Sequence, residues 1–304
     1  MRQRAIVCYV LSVLLLGFIL TPIFFMALGG FMPESEIRGA PGQHLWFVKG
    51  ATSTYYAYIF TSPFGYPFPS TDPYITWSSE TVGRFLQILN VNYFLGTIVN
   101  SVVVATTVAI TNLVLGSLAA FSFARIQFRG RTAAFVFILL SRLLPPVVLA
   151  IPYYILIQSL GLLNNLGSVV LIDTVLTLPF SIWYLVLYFR TIPVEIEEAS
   201  LADGASLWQT LRHISMRLAG SGLWAITLFS FILSYDEFLF SRFLLGNYSF
   251  QTVPVYVGSL STSLVIYFAI IHGVLALSLV PMVIIVLIFR KFINLSQLAG
   301  AIKT

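Results

Sequence analysis

Residues Glu195 to Arg217 read EIEEASLADGASLWQTLRHISMR. The stretch carries Glu195, Glu197, Glu198 and Asp203 together with Arg212 and Arg217, and apolar runs flank it on both sides. A charge at the bilayer centre costs roughly 2.5 to 3.5 kcal/mol on insertion scales, so this stretch belongs outside the hydrocarbon, between two spans. Its pattern is helix, break, helix. Pro193 suits a first helical turn, and the three glutamates follow where carboxylates favour the helix dipole. Asp203-Gly204 supplies a turn, because glycine takes the left-handed conformation that ends a helix. Ser206 stands where it can cap a second helix, Leu207 to Ile214. The pattern predicts a short helical hairpin at the membrane face.

The surrounding chain gives the hairpin its setting. It has 304 residues, 58% hydrophobic and 9% charged, with a mean hydropathy of +0.93. Such values place it among polytopic membrane proteins. The net charge of +5 is small, and no basic, aromatic-interleaved surface points to nucleic acid. Cys8 is the only cysteine, which excludes an intrachain disulfide and a cysteine metal cluster. No G-x-x-x-x-G-K-[ST], H-E-x-x-H or G-x-S-x-G sequence occurs, so neither P-loop ATP binding nor metalloprotease or serine-hydrolase chemistry has support.

A span needs about 20 apolar residues. Six stretches qualify, at roughly 5–30, 93–122, 133–157, 167–189, 219–245 and 265–289. The first begins Met1-Arg2-Gln3-Arg4 and is too long for a signal-peptide core, so it is read as a retained span. An even count puts both termini on one side. With that side inside, the inner segments hold Arg2, Arg4, Arg125, Arg129, Arg131, Arg190, Arg212, Arg217, Arg290, Lys291 and Lys303. The outer ones hold only Arg38, Lys49, Arg84 and Arg242. This bias predicts cytoplasmic termini and a cytoplasmic hairpin. The expected organisation is a first helix (1–31), an extracytoplasmic loop (32–92), a membrane core (93–293) with the cytoplasmic loop at 190–218, and a cytoplasmic tail (294–304).

The outer loop is rich in aromatics: Tyr55, Tyr56, Tyr58, Phe60, Phe64, Tyr66, Phe68, Tyr74 and Trp77. They suit an interfacial cap, a docking surface for an external protein, or both. Inside the third span, Arg142, Pro145, Pro146 and Pro152 predict a broken helix whose freed carbonyls need protein or water. Such a break serves either packing or a pathway. Asp173 in the fourth span is expensive in lipid; it reaches the outer interface or faces protein. In the fifth, Tyr235, Asp236 and Glu237 interrupt an apolar run. Two adjacent acids cannot share one helix face, so they break the helix, reach an interface or line a cavity. Carboxylates accept hydroxyl hydrogen bonds and ring faces cover the apolar faces of a pyranose. His272 in the sixth span is read as structural.

Glu198-Ala199-Ser200, three residues, Gly204, nine residues and Ile214 together resemble the EAA motif of bacterial ABC-importer permeases. The run Asp203-Gly204-Ala205-Ser206 is similar to the form in sugar-importer permeases. That family continues with Leu-Pro and another proline. Met216-Arg217 and Gly220 stand at those places here, so a less sharply bent approach to the next span is expected. Ala119 to Arg125 followed by Phe128-Arg129-Gly130-Arg131 resembles the family where its second conserved helix meets the cytoplasm. Asn100-Ser101 and the tail Leu298 to Lys303 match it as well.

The resemblance covers roughly residues 93–304 and implies an all-α, six-helix permease of the type I ABC importer fold in a bacterial inner membrane. It implies a second homologous permease, two cytoplasmic ATPase subunits that bind the ATP and Mg, an extracytoplasmic binding protein, and no cofactor or catalysis in this chain. By the resemblance, Glu197, Glu198, Ala199, Asp203, Gly204, Ala205 and Ser206 couple to an ATPase subunit. Tyr235, Asp236 and Glu237, with Asp173, Pro145 and Pro146, are expected along the substrate path. The expected cargo is a sugar of the di- or oligosaccharide class. Permeases for polyol phosphates or polyamines carry related motifs. A stand-alone secondary transporter would show an internal inverted repeat, and no clear one is visible.

Overall fold

The computed structural model describes residues 2–37, 47, 50–61, 91–246, 250–261 and 268–292. Among these, every regular element is helical. Four helices are long and apolar enough to cross a membrane: Cys8–Gly29, Phe94–Arg125, Leu166–Arg190 and Phe268–Phe289. Two bent pairs also qualify, Arg131–Leu143 with Pro146–Ser159 and Leu207–Leu218 with Gly220–Tyr235, for up to six among the described residues if each pair is one span. By contacts the chain divides into two compact units, Met1–Gly96 with Tyr256–Val280, and Thr97–Val255 with Pro281–Thr304.

In the first unit, α1 (Arg2–Gly29) leads into α2 (Glu34–Ile37) and α3 (Thr54–Thr61). Tyr56 donates its hydroxyl to Ala27 O at 2.8 Å, and its ring lies 4.5 Å from that of Phe31. Glu34 is buried, and its carboxylate accepts the backbone N–H groups of Phe268 and Ala269 at 3.1 and 2.9 Å. It thus caps the start of the Phe268–Phe289 helix, whose first donors have no intrahelical acceptor. Tyr55 is also buried here, and its hydroxyl oxygen accepts the Glu34 N–H at 3.1 Å. The side chains of Tyr58 and Phe60, and all of Phe64, Tyr66, Phe68, Tyr74 and Trp77, lie outside the described residues, as does the tail at 298–303.

The second unit holds the hairpin. Its elements are α4 (Val91–Arg125, entering the unit at Thr97), α5 (Arg131–Leu140), α6 (Pro146–Ser159), α7 (Leu166–Arg190), α8 (Val194–Ala202), α9 (Leu207–Thr210), α10 (Met216–Leu218), α11 (Gly220–Tyr235) and α12 (Leu239–Leu244). A one-turn 3-10 helix at Ser141–Leu143 follows α5, and a π-helical turn at Leu211–Ser215 joins α9 to α10. Two apolar clusters hold the unit together. One joins Phe121, Leu185, Phe189, Leu211, Leu223 and Ile226. The other joins Val104, Ile157, Ile172, Phe240 and Leu244. Where α7 and α11 cross, Gly222 has no room for a side chain: a Cβ there would come within 2.5 Å of the Tyr188 ring.

The third span breaks as its prolines require. Its arms meet at 99°, with Leu144 and Pro145 extended between them. Arg142 at the break donates to Leu176 O at 2.7 Å. The expectation of a gentle approach to the fifth span is corrected. The arms on either side of Ala219 meet at 81° without any proline. Ala219 is fully buried in the first apolar cluster, with ψ of 5°, so core packing fixes the corner that proline chemistry was expected to supply. The fifth span itself does not run unbroken from 219 to 245. It stops at Tyr235 and restarts at Leu239.

Candidate functional site

The hairpin is built from its two caps and one glycine. Pro193 precedes α8, and Glu195 and Glu197 occupy its first turn. Gly204 has φ of +89°, and its N–H donates to Leu201 O while that of Ala205 reaches Ser200 O, each at 3.0 Å. Ser206 and Gln209 form a capping box at the start of α9. Ser200 and Thr210 hydroxyls meet at 2.7 Å and tie the two arms.

The arms present two faces. Outward lie Glu198, Ala199, Asp203, Gly204 and Ser206, with Ala205 half-buried. Leu201, Leu207 and Trp208 are 40, 55 and 57% exposed beside them. Exposed apolar side chains on an otherwise polar loop form a surface that needs a partner. Glu197 points the other way. It is 4% exposed, its Oε2 is 2.5 Å from Arg125 Nε, and its Oε1 accepts the Ser215 hydroxyl at 2.8 Å. Its grouping with the outward residues is therefore corrected: a partner cannot reach it. Arg125 also donates to Phe189 O and Ile192 O, both at 2.8 Å. One guanidinium thus joins the end of α4, the end of α7 and the hairpin. In the sequence Arg125 stands in a stretch that resembles the family and counts toward the inside charge bias. Nothing local showed that residues 72 positions apart form an ion pair.

A buried polar seam runs between the two apolar clusters. Asn112 on α4 donates to Thr177 Oγ1 at 2.6 Å, and Thr177 donates to Asp173 O at 2.6 Å. Ser234 on α11 donates to Asp173 Oδ2 at 2.5 Å, and the hydroxyls of Ser181 and Ser230 lie 3.3 Å apart. Asp173 is 2% exposed, so it faces protein rather than the outer interface. Asn112 Oδ1, Asp173 Oδ1 and Thr174 Oγ1 are buried without a hydrogen-bond partner among the described residues. Acceptors in that state suit water or a ligand hydroxyl.

The other candidate path residues are divided among different roles. Tyr235 is buried and stacks on Phe231 at 5.8 Å. Asp236 is exposed at the C-terminal end of α11. Glu237 does not offer a free carboxylate, because its two oxygens accept the N–H groups of Phe240 and Ser241 at 2.7 and 2.9 Å. It caps α12. Pro145 and Pro146 are exposed at the 99° break. Asn112 and Ser234, which complete the seam, were legible only as polar residues in apolar runs.

Replacing Asp173 tests the seam. Asp173→Asn retains an acceptor for Ser234 and is expected to leave thermal stability in micelles nearly unchanged. Asp173→Leu strands the Ser234 hydroxyl and is expected to cost roughly 1–3 kcal/mol.

The profile of the family described as binding-protein-dependent transport system inner membrane component matches residues 112–294. The chain belongs to this family. A trehalose/maltose permease protein of Thermococcus litoralis is 30% identical over 242 residues, covering 76% of this chain and 84% of that one. A diacetylchitobiose uptake permease protein of Streptomyces coelicolor is 27% identical, covering 78% and 68%. A trehalose permease protein of Mycobacterium tuberculosis is 27% identical, covering 74% and 83%. In structure, the permease matches a chain of a bacterial ABC transporter that imports alginate, an acidic polysaccharide. The TM-score is 0.71 at 19% identity, over 96% of this chain and 97% of that one. The permease is thus a multi-pass membrane transport subunit with the type I importer fold. Permeases of this family work with an ATPase and a substrate-binding protein.

Proposed function

We propose that this permease imports a sugar, a di- or oligosaccharide, delivered by an external binding protein, and that the hairpin couples it to an ATPase subunit. The observation that carries the coupling is the division of the hairpin into two faces. Its outward face is polar at Glu198 and Asp203 and apolar at Leu201, Leu207 and Trp208, as helix-in-groove recognition needs. Its inward face is fixed to α4 and α7 through Arg125. Pulling on the outward face therefore moves two spans with it.

In this reading the hairpin and both termini are cytoplasmic, in a bacterial inner membrane. The complete importer has a second homologous permease and two ATPase subunits. ATP and Mg are bound and ATP is hydrolysed on those subunits, while this chain rearranges its helices between two packed arrangements. The sugar assignment draws on the relatives named for trehalose, maltose and diacetylchitobiose. The hydroxyl-accepting atoms of Asn112 and Asp173 are chemically suited to such a cargo.

The test is ATPase activity of the complex in lipid, with and without its binding protein, across a panel of sugars. Stimulation by one sugar-loaded binding protein is expected. Stimulation only by a polyamine- or polyol-phosphate-loaded protein would replace the cargo. Solute movement by this chain alone, with no ATPase subunit present, would overturn the coupling.

A further inference from the structure

Beside the second arm of the hairpin lies a cavity of about 450 Å³. Its rim carries Arg212 and Arg217, and its walls are Leu113, Met216, Leu223 and Trp224. Both arginines are exposed, and among the described residues neither has an ion pair or hydrogen bond. Trp224 stacks on Phe292 at 4.8 Å and meets Phe289 edge-on at 5.4 Å. Lys291 sits 4.9 Å from the Phe292 ring centre, and Arg290 is adjacent and exposed. Two arginines thus stand on a greasy recess that opens where the polar hairpin turns into the apolar span, and the rings of Phe289 and Phe292 against Trp224 belong to a segment that also carries Arg290 and Lys291.

The chemistry of that recess is amphiphilic. Arginine matches phosphate oxygens in a fork geometry that a hydrated lysine lacks. Tryptophan favours the level of the lipid headgroups. A soluble anion would use the arginines and leave the apolar walls wet. A neutral lipid would use the walls and leave the guanidinium groups unmatched.

We propose that this cavity binds an anionic phospholipid, its phosphate held between Arg212 and Arg217 and an acyl chain lying along Leu113, Leu223 and Trp224. The lipid would tether the second arm of the hairpin to the leaflet beside it. Headgroup composition then sets how firmly the hairpin follows the spans. The inference rests on the hairpin lying at a membrane face and not on what the importer carries, so a failure of the transport assay leaves it standing.

The test is native mass spectrometry of the full-length chain, purified with its accompanying subunits and titrated with phosphatidylglycerol or phosphatidylethanolamine. Each arginine is expected to add about fivefold to phosphatidylglycerol retention, so Arg212→Gln with Arg217→Gln lowers it roughly 25-fold. The corresponding pair of lysine substitutions keeps the charge but not the fork and is expected to fall between the wild type and the glutamine pair. A second readout does not depend on those variants. Phosphatidylglycerol with brominated chains should quench a fluorescence component that is missing in Trp224→Phe. Equal retention of both lipids by the wild type, or unchanged retention in the double glutamine variant, would overturn the proposal. So would displacement by soluble glycerol phosphate at matched concentration, which would make the site one for a free anion.

Discussion

Gly204→Val is expected to abolish import while the protein still inserts and accumulates normally. Gly204 stands at the hairpin apex with φ of +89°, and nothing lies within 4 Å of where its Cβ would be. The penalty is therefore one of backbone conformation, about 1–2 kcal/mol for an L-residue in the left-handed region. It falls on the hairpin alone, since no core side chain is touched. Gly204→Asp tolerates that conformation better but places a charge beside Asp203 on the outward face. Gly204→Ala adds only the conformational penalty. The series should run alanine, mildest, then aspartate and valine, the backbone penalty alone lowering uptake roughly 5- to 30-fold and the added charge or β-branch lowering it further. Uptake assays at matched membrane abundance check it. Normal uptake by Gly204→Val at normal abundance would remove the hairpin from the coupling mechanism.

Arg125→Ala is expected to be the most damaging single change near the hairpin. It leaves the Glu197 carboxylate, 4% exposed, without its cation and removes the guanidinium's hydrogen bonds to Phe189 O and Ile192 O. Breaking a buried pair from one side costs roughly 3–5 kcal/mol. Glu197→Gln is milder, because the amide still offers an acceptor to Ser215 or Arg125. The informative variant is Arg125→Met combined with Glu197→Leu. Removing both charges is expected to recover part of the stability, as buried pairs exchanged for apolar residues often do. Ile192 O would still lack its guanidinium donor, whereas Phe189 O keeps the Ile192 N–H at 3.1 Å, so recovery stays incomplete. Thermal unfolding of the purified protein measures the stability side. ATPase activity uncoupled from transport in the double variant would show that the ion pair carries motion from hairpin to spans. Full coupling in that variant would assign Arg125 a purely structural role.

The hairpin, its glycine turn and its serine cap were legible in the sequence because each depends on local chemistry. A run of acids cannot sit in lipid, glycine accepts a positive φ, and serine caps an adjacent helix. The six spans were legible for the same reason, since hydropathy is a property of a window of residues. The broken third span followed from Pro145 and Pro146, which act on their own backbone. These features would read the same in any tertiary surrounding.

Burial and pairing across the fold were not legible, because they are set by residues far away in the chain. The sequence cannot tell that Glu197 turns inward while Glu198, one position later, turns outward; the helical rotation matters only once Arg125 is beside it. Nor can it tell that Glu237 is consumed as a helix cap while Asp173 keeps a buried oxygen without a partner among the described residues. The 81° corner at Ala219 is the clearest case. The residues that usually make such a corner are missing from the sequence, and packing of Ala219 into the core makes it instead. Local chemistry determined which segments are helical, which cross the membrane and where the chain turns. Only the tertiary structure decided which polar groups satisfy one another and which remain available, because burial inside a membrane protein is a property of neighbours.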